Sequence, residues 1–187
     1  MFNPLDNLNS ERPGISYTPL NNLLTQGDWE RSNAMTDQLI CRVAGCENRG
    51  WLAPEPMQQF PRRDLHIIDA LWLHHSNGQF GFSVQRDIWQ RFGGFRDCPP
   101  VRISADQKDP WRPAQNWWEQ YKSFATELGW CRNKLWWVGY PNGLTYDISA
   151  PPGHLPGFCY ASGAHVIEGL NQDQTGWSGW QLLARLV

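Results

Sequence analysis

Few side chains in this chain are placed to do chemistry. Asp64 and Asp69 lie five residues apart, and two carboxylates are the minimum for general acid and base work on a glycosidic or similar bond. A cheaper explanation exists for both. An aspartate opening an apolar-periodic run caps the helix backbone, and one deeper in the same helix takes hydrogen bonds at the rim of the core. His74 and His75 are adjacent, so on a helix their imidazoles point about 100° apart and cannot clasp one ion together. A helix C-terminus, where the backbone dipole favours positive charge, suits them better. The cysteines at 41, 46, 98, 131 and 159 form no C-x-x-C pair and leave one over, which supports neither a zinc site nor a disulfide framework. Reduced thiols in a cytoplasm are expected. G-x-S-x-G, H-E-x-x-H and Walker sequences are missing, so no catalytic residue and no metal ligand is assigned.

Binding chemistry is better represented. The 187 residues include 12 tryptophans, where an average protein of this size holds about two or three. Each supplies a wide apolar face with one N–H donor, so this density implies either an unusual core or a surface for flat ligands. A tryptophan-rich helix within 111–130 could present a stacking platform, although packing into the core is its simpler use. Charge excludes other partners. Lys+Arg 16 against Asp+Glu 18 leaves a net charge of −2, too balanced to draw nucleic acid or an anionic membrane. After Lys134 the only cation is Arg185, so the last quarter of the chain is neutral and rich in glycine, proline and aromatics. No apolar run approaches the roughly 18 residues that a membrane span requires, and the mean hydropathy is −0.56. The first residues lack the features of a secretory signal or transit peptide. A soluble, cytoplasmic monomer is expected.

The elements that must position these residues are mainly α. Residues 1–17 read as an arm that is loose or ordered on docking, and 18–187 as one domain made of a helical hairpin over 18–45 and a core over 46–187. Thr18 is placed to cap a short helix with Pro19 in its first turn, and Asp28 to cap a second that ends at Gly45. A glycine- and proline-broken connector follows. Asp64 then caps a helix with Leu65, Ile68, Leu71 and Trp72 on one stripe, closed by Ser76-Asn77-Gly78. The next helix runs through Ile88, Trp89 and Phe92, and another carries Trp117, Trp118, Tyr121, Phe124 and Leu128 up to Gly129. Asn142-Gly143 predicts a short hairpin between 135–138 and 144–148. Residues 150–156 cannot be helical. A long loop over 157–179 holds Phe158, Tyr160 and Trp177, with Trp180 at its edge, and a loop of that length can fold over an apolar ligand. Leu182, Leu183 and Leu186 suggest a closing helix.

Three sequence blocks carry a family resemblance. They are Asp64-Leu65-His66-Ile67-Ile68-Asp69-Ala70-Leu71-Trp72, Phe80-Gly81-Phe82-Ser83-Val84-Gln85 and Ala150-Pro151-Pro152-Gly153-His154-Leu155-Pro156, with Gly50-Trp51-Leu52 and Leu128-Gly129-Trp130 in support. Together they resemble the Genomes Uncoupled Four family, the tetrapyrrole-binding regulators of magnesium chelatase in cyanobacteria and chloroplasts, over about residues 20 to 187. The resemblance implies a mostly α, cupped domain whose apolar palm takes protoporphyrin IX or Mg-protoporphyrin IX in chlorophyll biosynthesis, with the late loop as a finger. It implies the large subunit of magnesium chelatase as partner, no catalysis by the chain itself, and a cyanobacterial cytoplasm or a plastid stroma. The matching palm positions are Arg63, Leu73 and Phe82, with Val84, Gln85 and Trp89 nearby. A flat apolar disc with two propionates needs such walls and a cation at one edge, and Arg63 suits the cation. The chain departs from the family where 135–184 lacks every arginine and where His74-His75 replaces Lys-Tyr. A linear bilin, to which Cys159 could form a thioether, is therefore an alternative ligand, and a protein-interaction module that keeps the fold without the pocket is an alternative role.

Overall fold

The structure is a computed structural model that describes residues 3–47, 59–93, 117–139 and 141–157. It is mostly helical. A single 3-10 turn at Pro4–Asp6 precedes α1 (Thr18–Thr25), α2 (Trp29–Ala44), α3 (Arg62–His75), α4 (Phe82–Arg91) and α5 (Trp117–Glu127), and two-residue strands β1 (Cys131–Arg132) and β2 (Trp136–Trp137) follow.

The α1–α2 hairpin forms as expected, with one shift. Thr18 is the first helical residue instead of the cap, and its hydroxyl meets Ser16 Oγ at 3.0 Å. Asp28 does cap α2, its Oδ1 accepting from the Arg31 N–H at 3.1 Å, and Gly45 closes the helix at φ 70°. Leu20 and Leu24 of α1 meet Leu39, Ile40 and Val43 of α2 in one core with Leu65, Ile67, Ile68 and Leu71 of α3. Trp72 stacks on Trp29 at 6.0 Å and meets Phe80 edge-on at 6.3 Å. Its indole N–H donates to Thr36 Oγ1 at 3.0 Å, which satisfies the one polar atom of a fully buried ring. A second aromatic group joins Trp89, Phe124 and Trp130 edge-to-face at 5.4 and 5.7 Å. Trp72, Trp89 and Trp130 are thus core residues, and the platform expected within 111–130 is buried from Tyr121 onward at Tyr121, Phe124, Ala125 and Leu128.

Over its described part, residues 3–17, the arm is docked: Asn9 and Ser16 form a β-bridge, and the Tyr17 N–H donates to the Leu8 carbonyl at 2.7 Å. Two expectations are corrected. Asp64 does not cap α3, which opens two residues earlier after Pro61. Instead its buried carboxylate accepts from the Tyr17 hydroxyl at 2.5 Å and the Glu11 N–H at 3.1 Å, so the arm supplies its partners. An aspartate in a first helical turn also suits the backbone dipole, which is why the sequence pattern cannot separate this position from a cap. The hairpin lies upstream of its expected place. β2 falls within 135–138, but it pairs with Cys131 and Arg132 in the register Cys131↔Trp137 and Arg132↔Trp136. Asn133 and Lys134 turn the chain at φ 53° and 59°. The Val138 N–H continues the pairing to the Trp130 carbonyl at 2.9 Å, leaving Asn142-Gly143 as a local turn.

Burial, and then the neighbouring Asp64 carboxylate, push the Tyr17 phenol up and hold it as a donor. Tyr17→Phe removes that donor while Asp64 stays buried, and it should cost about 1–3 kcal/mol with an unchanged urea m-value. A loss within error in urea unfolding would mean that the arm is held without this bond.

Candidate functional site

α3 turns Asp64, Leu65, Ile67, Ile68, Asp69, Leu71 and Trp72 inward. That leaves Arg63, His66, Ala70, Leu73 and His74 at helical spacing along its accessible side. Arg63 and Leu73, both half-buried, stand about 15 Å apart along the axis at 1.5 Å per residue.

The turn after α3 brings the start of the next helix beside Leu73. Ser76 Oγ donates to the Trp72 carbonyl at 2.7 Å and accepts from the Phe80 N–H at 2.8 Å. At Gly81 the backbone has φ 143°, and a Cβ there would lie 2.9 Å from Asp69 Oδ1 and 3.3 Å from Leu73 Cγ. Only glycine permits both the angle and the approach. Having no side chain, Gly81 cannot cap α4. Asp69 does so from the neighbouring helix, its Oδ1 accepting from the Ser83 N–H at 2.9 Å and from Ser83 Oγ at 3.2 Å. Burial raises the Asp69 carboxyl above its ordinary 3.8, opposed by the Ser83 hydrogen bonds and by the charges of Arg86 and His66. The result is a fixed junction with two half-exposed aliphatic side chains, Leu73 on α3 and Val84 on α4.

The segment 150–157 supports this junction from behind. It is irregular yet largely buried, so each peptide group needs a partner. Gln85 Nε2 donates to the Gly153 and Pro156 carbonyls, both at 2.9 Å, and Gln79 Nε2 to the Ala150 carbonyl at 2.7 Å. The Gly153 N–H donates to the Gln79 carbonyl at 2.8 Å, and the Gly81 N–H to the Leu155 carbonyl at 3.0 Å. Asn33 of α2 accepts from the Gly157 N–H at 2.7 Å and donates to its carbonyl at 3.3 Å. His154 closes the set. The Thr145 N–H donates to its Nε2 at 2.9 Å, so that nitrogen carries no proton and Nδ1–H donates to the Leu128 carbonyl at 2.5 Å. Trp130 Nε1 donates to the His154 carbonyl at 2.9 Å. Gly129, at φ 76°, leaves room for the ring: a Cβ there would sit 3.2 Å from His154 Nδ1.

Of the residues singled out in the sequence, Arg63, Leu73 and Val84 are partly accessible. Phe82, Gln85 and Trp89 are buried, Gln85 as the donor just described and Trp89 against Phe124. Phe158, Tyr160, Trp177 and Trp180 lie outside the described residues, as do the late loop and the closing helix. His75 hydrogen-bonds Asn21 Oδ1 at 2.9 Å, and its ring stands edge-on to His74 at 4.9 Å. Among the described residues no three His, Cys, Asp or Glu side chains are placed to share a metal ion, and no helix is long and apolar enough to cross a membrane. Sequence reasoning missed the polar roles of Asn33, Gln79 and His154. Only His154 carried a signal, an imidazole within a proline-rich run; Asn33 and Gln79 sit among other polar residues and had none.

A family model described as GUN4-like matches residues 10–174. The chain belongs to the GUN4-like family. Its relatives include the Ycf53-like protein of Synechocystis sp., 34% identical over 171 residues, a match covering 89% of this chain and 62% of that protein. The chain therefore spans less than two-thirds of that relative's length. A shorter match, 35% identical over 75 residues and covering 39% of this chain and 28% of the relative, is to the chloroplastic tetrapyrrole-binding protein of Arabidopsis thaliana. The fold matches the structure of GUN4 from Chlamydomonas reinhardtii with a TM-score of 0.64 at 21% identity, over 96% of this chain and 94% of that one. In this GUN4-like chain, then, the three blocks that carry the resemblance are α3, the α3–α4 junction and the buried 150–157 segment.

Two outcomes test the junction. Gly81→Ala should cost roughly 1–3 kcal/mol, because the alanine must either adopt a strained φ or displace Asp69 from its cap; a neutral result in chemical denaturation would refute the close approach. Burial lowers the His154 pKa below its ordinary 6.5. The unfolded chain then binds the proton more readily, so this contribution is present above pH 6.5 and is lost as pH falls through the folded-state value. Between about pH 7.5 and about pH 5.5 the parent should lose more stability than His154→Gln. Parallel pH profiles would show that His154 is not held neutral.

Proposed function

We propose that this chain is a tetrapyrrole-binding regulator and not itself an enzyme. It takes protoporphyrin IX or Mg-protoporphyrin IX against the α3–α4 edge and stimulates magnesium chelatase by presenting that ligand to the large subunit. Membership of the GUN4-like family over residues 10–174 carries this reading, and the Arabidopsis relative bears the name tetrapyrrole-binding protein. The residues fit the ligand chemistry. Leu73 and Val84 offer aliphatic surface to a flat macrocycle, and Arg63, about 15 Å along the same helix from Leu73, offers a guanidinium to a propionate. The aspartates that could have suggested catalysis are occupied, Asp64 by Tyr17 and Glu11, and Asp69 by Ser83. A monomer in a cyanobacterial cytoplasm or plastid stroma accords with this reading. The alternative ligand is a linear bilin, to which Cys159 could form a thioether.

Titration with protoporphyrin IX, Mg-protoporphyrin IX and a bilin should quench the 12 tryptophans saturably and shift the porphyrin absorption band. Leu73→Ser should weaken binding about tenfold with little change in Tm, since the side chain is only half-buried. Arg63→Ala should weaken binding of the free acid more than of its dimethyl ester. Equal losses for acid and ester would remove Arg63 from the site, tighter binding of the bilin would reassign the ligand, and failure to bind all three would leave an interaction module. Adding the loaded protein to magnesium chelatase and following metal insertion tests the regulatory half separately.

A further inference from the structure

The C-terminal end of α2 brings together two cysteines, Cys41 in its last turn and Cys46 just past its cap, in a relation that the function above does not use. α2 ends in a Schellman motif: the Gly45 N–H donates to the Arg42 carbonyl at 3.1 Å, and the Cys46 N–H reaches back five residues to the Cys41 carbonyl at 2.9 Å. In this motif the residue after the left-handed glycine packs against the residue third from the helix end, and that contact is usually hydrophobic. Here the two positions are Cys46 and Cys41. The Cys46 thiol lies 3.5 Å from the Cys41 carbonyl oxygen. Arg42 and Glu47, the next residue after each cysteine, pair at 3.2 Å over the same turn. Cys46 is buried and Cys41 half-buried, and both are reduced.

We propose that Cys41 and Cys46 are a redox-active dithiol that a small-molecule disulfide converts to an intramolecular disulfide across the last turn of α2. The more accessible Cys41 sulfur, as thiolate, attacks one sulfur of glutathione disulfide, forming a mixed disulfide and expelling one glutathione thiolate, which takes up a proton. Cys46 then loses its proton and attacks the Cys41 sulfur, forming the Cys41–Cys46 bond and expelling the second glutathione. Two cysteine thiols are oxidised by two electrons, and one glutathione disulfide is reduced to two glutathiones. Burial, followed by the neighbouring Cys46, pushes the Cys41 thiol up to about 12. Little thiolate is therefore present near neutrality, and closure is slow.

The sequence makes the test direct, because trypsin cuts at Arg42 between the two cysteines and at Arg31 and Arg49 outside them. The full chain is held in glutathione buffers of increasing oxidised-to-reduced ratio, alkylated, digested without reductant and analysed by mass spectrometry. Peptides 32–42 and 43–49 should appear joined, with a loss of two hydrogens against the sum of the separate peptides. Cys46→Ser should stop the reaction at a glutathione adduct on Cys41. The proposal is overturned if no joined peptide forms at any ratio, if Cys41 keeps its glutathione while Cys46 is intact, or if Cys46 is joined to a different cysteine.

Discussion

An irregular segment in a protein interior must find a hydrogen-bond partner for each of its peptide groups, and the segment 150–157 imposes that requirement on much of this fold. Its carbonyls and N–H groups are met by Asn33 of α2, by Gln79 and Gly81 of the α3–α4 turn, by Gln85 of α4 and by Trp130. The helices are consequently registered against one another by directional bonds as well as by the apolar contacts of Leu65, Ile68 and Leu71. Hydrophobic packing tolerates small sliding, whereas a buried amide shared between two carbonyls loses a bond when either moves. His154 adds a demand on protonation, since its two ring nitrogens meet one donor and one acceptor and only the neutral ring serves both.

The same economy governs α4. A helix that begins at a residue without a side chain needs its first N–H groups satisfied from elsewhere. Asp69 supplies that acceptor from α3 because Gly81 lets the backbone come close enough. Cap and close approach depend on each other: a side chain at 81 would occupy the space of the carboxylate, and loss of the carboxylate would leave the Ser83 N–H without its acceptor from α3. The edge bearing Leu73 and Val84 is therefore a consequence of a polar contact that neither residue makes.

The helices were legible where periodicity and punctuation agree, as at Asp28 and Gly45 of α2 and at Leu128 and Gly129 after α5. They were less legible where one residue type serves two local roles. Asp64 looks the same whether it caps α3 or sits in its first turn, and the difference is decided by Tyr17, 47 residues away. The hairpin was displaced because Asn-Gly is the stronger local turn signal, while the pairing that forms is set by Trp130, whose burial fixes the strand that follows it. At the candidate site, Arg63, Leu73 and Val84 could be named only through the family resemblance, since nothing local separates a half-buried leucine from a core one. Phe82 and Gln85 of the second block, and Trp89 just after it, were named in the same way yet face inward.

The support behind the edge bears on how it could bind anything flat. Association with a rigid disc gains from aliphatic contact but loses whatever order the protein must acquire to make it. Leu73 sits at the end of a helix anchored by Trp72, and Val84 one residue beyond the capped Ser83, so their backbone positions are settled before a ligand arrives. Arg63 lies in the first turn of α3, where the backbone dipole opposes a cation, and a propionate there would be favoured by the guanidinium and the dipole together. On the proposed reading the apolar contact would be preorganised, and the electrostatic one would be completed by the ligand's own charge.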